Sequence, residues 1–257
     1  MNFPDHFSAV AAQYALARPQ YPAALFDWIA AVAPSRGLCW EAGCGSGQAT
    51  RDLALRFERV HAGDPSAAQI AQAPSLANVD FVVEAGEQCS LPDASADLAC
   101  VAQALHWFDR QAYFAEVARV LKPGGVLVAW GYQDIVVPPA LAVANGSFQD
   151  TIHAYWPPQR ADIDAAYDGY DWRALFPAAE RIDSPSFELT ADWPLHRLLA
   201  YFASYSASKR HREATRRDIV ADSASSFAQA WGDGGSIPLR WPLFVHAFRK
   251  PAVEDVA

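Results

Sequence analysis

The sequence predicts an α/β protein built on a mostly parallel seven-stranded sheet with helices on both faces. Three observations carry this. Short apolar runs alternate with helix-period segments from about residue 23 to 130, the signature of right-handed β-α-β units. A glycine-rich turn, Gly43-Cys44-Gly45-Ser46-Gly47, joins the first apolar run to the next helical segment. Beyond residue 132 the rhythm gives way to a stretch rich in proline and aromatics, then resumes. That reads as an inserted cap within one domain.

The elements follow in order. Leu25, Ile29 and Val32 share one helix face, with Pro22 suited to the first helical position and Pro34 ending the helix. Leu38–Ala42 is a short buried strand, and 48–56 a helix. Val60–Gly63 is the second strand, closed by Asp64-Pro65, with a short helix over 66–73. Val79–Val83 and Ala96–Ala102 are the third and fourth strands. The clearest helix runs from 108 to 121. Asp109 is its N-cap, Phe108 can staple onto Tyr113, and Lys122-Pro123-Gly124-Gly125 ends it. Val126–Trp130 is the fifth strand. After the cap, 187–190 is a strand, helices fall near 195–206 and 213–231, and 239–248 is the last strand, with Pro242 near an edge or bulge.

Composition narrows the function. The chain has 257 residues, 52% of them hydrophobic, which excludes wholesale disorder. A net charge of −9 argues against a general grip on nucleic acid or an anionic membrane. No apolar run approaches the roughly 20 residues of a bilayer span. The opening MNFPDHFSAV lacks the basic and apolar regions of a secretory leader. The four cysteines, Cys39, Cys44, Cys89 and Cys100, show no CxxC pair and no zinc spacing. They are expected as buried thiols in a reducing cytoplasm, with no metal site. Nine tryptophans must either fill a core or wall a pocket.

The strongest motif is Glu41-Ala42-Gly43-Cys44-Gly45-Ser46-Gly47. Gly43, Gly45 and Gly47 permit positive φ and close approach of backbone to a ligand. The spacing is GxGxG, not the GxGxxG of dinucleotide binders, and Glu41 at the loop entrance is poor company for a phosphate. It suits a ligand bearing an ammonium. Asp64, at the end of the second strand, is placed to accept both hydroxyls of a ribose. His106 and Trp107 follow the fourth strand, where open α/β sheets bind ligands. His106 is a candidate general base, with packing or capping as the plainer reading. Trp107 offers a π face or a pocket wall. The basic run Lys209-Arg210-His211-Arg212, with Arg216 and Arg217, is by default a solvated face; turned toward the cleft with Ser204 and Ser206, it would draw an acidic acceptor.

These residues together give a resemblance. The chain is similar to class I S-adenosylmethionine-dependent methyltransferases of the methyltransferase type 11 group, and within it to the trans-aconitate methyltransferase-like members. The resemblance covers nearly the whole chain. Its marks include Arg18-Pro19-Gln20-Tyr21-Pro22, the Glu41–Gly47 loop, Asp64-Pro65-Ser66, Gly86-Glu87, Gln103-Ala104-Leu105-His106-Trp107-Phe108, Leu121-Lys122-Pro123-Gly124-Gly125 and Ser204-Tyr205-Ser206-Ala207. It implies the Rossmann-like fold of that class and S-adenosyl-L-methionine as cofactor. By resemblance, Glu41 and the loop hold the methionine part, Asp64 and Pro65 meet the ribose, and Gly86-Glu87 meet the adenine edge. Relatives often carry alanine where this chain has Gly86. Gln103 and Ala104 would lie beside the sulfonium, with Tyr14 and Arg18 on an N-terminal lid. The chain then divides into a lid over 1–22, a cofactor-binding core over 34–132, a substrate cap over 133–185 and C-terminal strands and helices over 186–250.

The implied reaction is transfer of a methyl group to a small molecule by in-line displacement. The absence of a strong base dyad favours an acceptor that is already ionised, such as a carboxylate. Two other readings stand beside it: a nucleoside-binding regulatory protein without catalysis, and a NAD-dependent oxidoreductase, which the GxGxG spacing and Glu41 oppose.

Overall fold

A computed structural model describes residues 18–252. Strands β1 (Leu38–Ala42), β2 (Arg59–Asp64), β3 (Val79–Val83), β4 (Ala96–Ala102) and β5 (Leu121–Tyr132) pair in parallel. β8 (Ser236–Arg249) runs antiparallel to β5, and β6 (Glu180–Ile182) pairs antiparallel with β8 and so runs with β1–β5, giving the order β3-β2-β1-β4-β5-β8-β6. β7 (Glu188–Pro194) is off this path and pairs only with the first half of β8.

The seven-stranded sheet expected from sequence is present, with one substitution of membership. The strand predicted at 187–190 belongs to the β7–β8 ribbon, and the seventh place is taken by β6, inside the stretch read as cap. Pro242 marks the switch. Residues 236–242 of β8 pair with β7 and residues 243–249 pair with β5. A residue without an N–H is tolerated where a strand changes partners.

Alternation along the central strands divides the core. Val126, Val128 and Trp130 of β5 face one layer, with Leu25, Phe26 and Ile29 of α1 (Ala23–Val32). Leu127 and Ala129 face the other, with Tyr113, Phe114 and Val117 of α4 (Arg110–Val120). Pro22 is the N-cap of α1, one position before the place expected for it. α2 (Thr50–Ala54) and α3 (Ala67–Ile70) are shorter than the sequence suggested, because the glycine turn runs to residue 49 and Ala71 begins to unwind. At α4 the expected N-terminal cap and staple hold, whereas the helix ends at Val120 and β5 begins at Leu121, so Lys122–Gly125 belong to the strand and not to a turn before a strand at Val126. Asp109 accepts the Ala112 N–H at 3.2 Å, and the Phe108 and Tyr113 rings lie 5.0 Å apart.

The stretch after β5 divides over the two layers. α5 (Ala142–Ile152) packs with the C-terminal helices α8 (Leu195–Ala203), α9 (Ser206–Thr215) and α10 (Ile219–Trp231), and Phe148 stacks on Phe202 at 4.5 Å. α6 (Arg160–Asp164) and α7 (Trp172–Leu175) cover the opposite layer through Ile163, Tyr167 and Trp172. The single helix expected over 213–231 is two helices. Arg216 takes a left-handed φ of 61° and Asp218 caps α10 through the Val220 and Ala221 N–H groups. Among the described residues no helix is long and apolar enough to cross a membrane.

Candidate active site

The chain runs from β1 to β2 and β3 on one side and from β4 to β5 on the other, so the topological switch lies between β1 and β4. Open α/β sheets bind ligands at the carboxyl ends of such strands, and the principal cleft opens there. It is lined by the glycine loop, Asp64, Gln103, His106 and Trp107 on the sheet side and by Trp156, Arg160, Ser204, Tyr205 and Lys209 opposite.

The glycine loop is shaped by contact. Gly43 has φ +69°, and a Cβ there would sit 2.7 Å from the Cβ of Ala104. Close approach of the β1 and β4 ends therefore requires that glycine. Gly45, at φ +58°, faces open space, so the bare backbone is presented to the cleft. The Gly45 N–H donates to Oδ2 of Asp64 at 2.9 Å, and the Ser66 N–H donates to Oδ1 at 2.9 Å. Asp64 thus pins the loop and the start of α3 while lining the cleft with Pro65.

Glu41, the penultimate residue of β1, is almost wholly buried, and its Oε2 accepts the Thr50 hydroxyl at 2.6 Å. Burial lifts its carboxyl to about 8, opposed by the Thr50 hydrogen bond and reinforced by the Asp64 charge. An acid held protonated by burial becomes an anion when a cation is brought to it. Gln69, on α3, is buried in the cleft wall, its Oε1 without a hydrogen-bond partner among the described residues. An open loop backbone, a carboxylate at a strand end and an orphaned amide oxygen beside it fit a ligand that offers hydroxyl and amino donors.

Gln103 takes φ +54° and locks the far wall. Its Nε2 donates to the Tyr132 carbonyl at 3.0 Å, and its Oε1 accepts the Tyr132 N–H at 3.2 Å. Arg18 lies in the wall, donating from Nη1 to the Tyr132 hydroxyl at 3.3 Å and resting over the Tyr201 and Tyr205 rings. Tyr14 lies outside the described residues.

His106 packs on Trp107 and places Nδ1 3.1 Å from the Tyr167 hydroxyl. Burial, helped by the Arg160 charge, lowers its pKa to about 3. So acidic an imidazolium has a weak conjugate base, which weighs against His106 as general base. His106→Ala is expected to lower turnover by less than about 10²-fold, below the range for losing a general base. The wild-type kcat profile is expected to show no inflection near pH 6.5. A steep acid limb near that pH, abolished in the variant, would restore the base role.

Gly86 and Glu87, on the loop after β3, sit against Phe108, whose ring lines the cleft. A Cβ on Gly86 would come within 2.9 Å of the Phe108 ring, so the glycine follows from the ring packed on it. Oε1 of Glu87 accepts the Asp109 N–H at 2.8 Å.

The wall opposite the glycine loop holds residues that the sequence only partly flagged. Arg160 rests 4.3 Å over the Trp156 ring and is paired with Asp164 at 2.6 Å and Asp134 at 3.3 Å. Of the basic run, Lys209 turns to the cleft with Ser204 and Ser206. Arg212 and Arg217 pair with Asp218 and Asp222, and His211 is buried against Tyr155. No ion-pair partner is found for the Lys209 ammonium among the described residues. Trp107 and Trp156 wall the cleft, whereas Trp40, Trp130, Trp193 and Trp241 are fully buried. Trp156 belongs to the aromatic stretch read as a cap, whereas Gln69 and Arg160 left no sequence signal, because only folding brings α3 and the cap to the strand ends.

Residues 40–129 match the family described as methyltransferase domain. A Dictyostelium discoideum protein described as a methyltransferase is 29% identical over 258 residues, which cover 97% of this chain and 96% of the relative. An uncharacterized methyltransferase of Mycobacterium tuberculosis is 35% identical over 130 residues, 50% of this chain and 53% of its own. The solved structure of an Anaeromyxobacter dehalogenans chain described as a type II methyltransferase superposes with a TM-score of 0.82. It is 38% identical, with coverage of 91% of this chain and 99% of that one.

Proposed function

The chain belongs to the class I S-adenosylmethionine-dependent methyltransferases, and from that premise we propose that it methylates a small carboxylic acid on oxygen. The observation that carries the proposal is the asymmetry of the cleft. One end has the glycine loop, Glu41 and Asp64; the other has the Lys209 ammonium, with no ion-pair partner among the described residues, Arg160 and the hydroxyls of Ser204 and Ser206.

Bound S-adenosylmethionine supplies an electrophilic methyl group and a neutral leaving group. The chain's own residues bind, orient and exclude water. Glu41 receives the ammonium of the methionine part, Arg18 its carboxylate, and Asp64 with Gln69 the nucleoside. The Gly43, Gln103 and Ala104 backbone closes the floor. On the other wall, Lys209 and the serines take an anionic acceptor, while Trp107, Trp156 and the His106 ring shed water around it. An ionised carboxylate needs no base, in keeping with a neutral His106. Orientation of two bound reactants can supply roughly 7–11 kcal/mol of barrier lowering. Four free thiols support placement in a reducing cytoplasm.

The test is Lys209→Ala, assayed on a panel of small mono-, di- and tricarboxylic acids. KM for the acid that turns over is expected to rise about 10- to 100-fold, the scale of one hydrogen bond to a charged group. Cofactor affinity is expected to stay within about twofold. An unchanged KM, or a loss confined to cofactor affinity, contradicts the assignment.

A further inference from the structure

Beyond the edge of the cleft lies a second cluster, which methyl transfer does not use. His61 projects from the middle of β2, Glu84 directly follows β3, and Cys89 lies on the loop leading to β4. His61 Nε2 is 2.7 Å from Glu84 Oε1, and these atoms and Cys89 Sγ all lie within 4.8 Å of one another. His61 and Cys89 are buried, and the Glu84 side chain is 11% exposed. Three unlike donors, nitrogen, oxygen and sulfur, thus converge from a strand and a loop.

The loop is braced around them. The Cys89 N–H donates to Glu116 Oε1 at 2.6 Å, and the Ser90 N–H donates to Glu84 Oε2 at 3.1 Å. A His–Glu hydrogen bond accounts for two of the three groups. The Cys89 thiol, whose Sγ accepts the Leu91 N–H at 3.4 Å, adds a sulfur donor at the same point.

We propose that His61, Glu84 and Cys89 form a binding site for a thiophilic divalent cation of the Zn²⁺ class. Zinc prefers this donor set at about 2.0–2.3 Å, which sets tetrahedral ligand atoms roughly 3.3–3.6 Å apart. Admitting the ion therefore requires the His61–Glu84 pair to open by less than about 1 Å. On binding, the thiol proton passes to solvent, and His61 offers its Nε2 lone pair with its proton on Nδ1. Nothing is oxidised or reduced. The Ser90 hydroxyl, 3.5 Å from His61 Nε2, or a water is the fourth ligand. The site adjoins the cofactor loop: the Glu84 N–H donates to the Asp64 carbonyl at 3.2 Å, and the Gly63 Cα faces the Glu84 side chain.

The test uses the full chain, stripped with chelator and titrated with Cd²⁺, whose thiolate complex has a charge-transfer band in the ultraviolet. One equivalent is expected to saturate the band in the wild type. Cys89→Ser is expected to abolish it, and Glu84→Gln, which keeps the hydrogen bonds to His61 and Ser90, to weaken affinity at least about tenfold. Zn²⁺ is expected to raise the melting temperature of the wild type and not that of Cys89→Ser. Absence of the band in folded wild-type protein, or its survival in Cys89→Ser, overturns the site. If Cys89→Ser fails to fold, unchanged Cd²⁺ affinity in Glu84→Gln overturns it instead.

Discussion

Asp64→Ala is expected to weaken binding of S-adenosylmethionine and its demethylated product by about 3 kcal/mol, somewhat over a hundredfold. Two effects add. The variant removes the proposed acceptor of the ribose hydroxyls. It also strips the Gly45 and Ser66 N–H groups of the carboxylate oxygens that hold them at 2.9 Å. The loop that presents bare backbone to the cleft then loses its anchor, and preorganisation is lost with the direct contact. Asp64→Asn, which keeps one acceptor oxygen, is expected to fall between. Calorimetry with the demethylated product reads both. A dissociation constant unchanged in Asp64→Ala removes the residue from the site.

Glu41→Gln is expected to move stability and affinity in opposite directions. The Glu41 carboxyl is raised by burial from its ordinary 4.5 to about 8 in the folded chain. A raised acid contributes stability that is complete below the unfolded value and is lost as pH rises through the folded one. Without ligand, the wild type is therefore expected to lose stability between about pH 4.5 and 8, on the order of a few kcal/mol. Glu41→Gln carries no buried charge to form. Its melting temperature is expected to exceed that of the wild type at pH 8, with the gap closing toward pH 5. Its cofactor affinity is expected to fall, because an amide cannot answer an ammonium. For the wild type the same linkage makes cofactor affinity rise with pH between 6 and 8, approaching tenfold per unit. Calorimetry in two buffers of different ionisation enthalpy reads the proton released. Flat affinity across that range, with no proton release, contradicts the role of Glu41.

Much of the cofactor half was legible because local chemistry dictates it. The β1 and β3 bounds follow from short apolar runs between breakers, and the glycine loop and Asp64 follow from backbone demands that few residues meet. The sheet's antiparallel edge was less legible. β6 has three residues and no apolar pattern, so only its pairing with β8 defines it. β8 is one strand serving two partners, a tertiary fact that Pro242 hints at without specifying. The break between α9 and α10 rests on a left-handed Arg216, a conformation no glycine announces. At the site, only resemblance brings Gly86 and Glu87 toward the cofactor; the fold adds that Phe108 packs on the first and the Asp109 N–H donates to the second. Gln69 and Arg160 needed the fold before their polar atoms could be seen to face the cleft.

The central claim is methylation of a carboxylate oxygen in the cleft between the glycine loop and Lys209. The most direct measurement is incubation of the wild type with methyl-labelled S-adenosylmethionine and small organic acids, followed by mild alkali. A methyl ester releases its label as volatile methanol, and a methyl group on nitrogen or carbon does not. The account predicts alkali-labile label that appears only with an acid acceptor and is sharply reduced in Lys209→Ala at low acceptor concentration. Label in an alkali-stable product, formed equally well by wild type and Lys209→Ala, would contradict it.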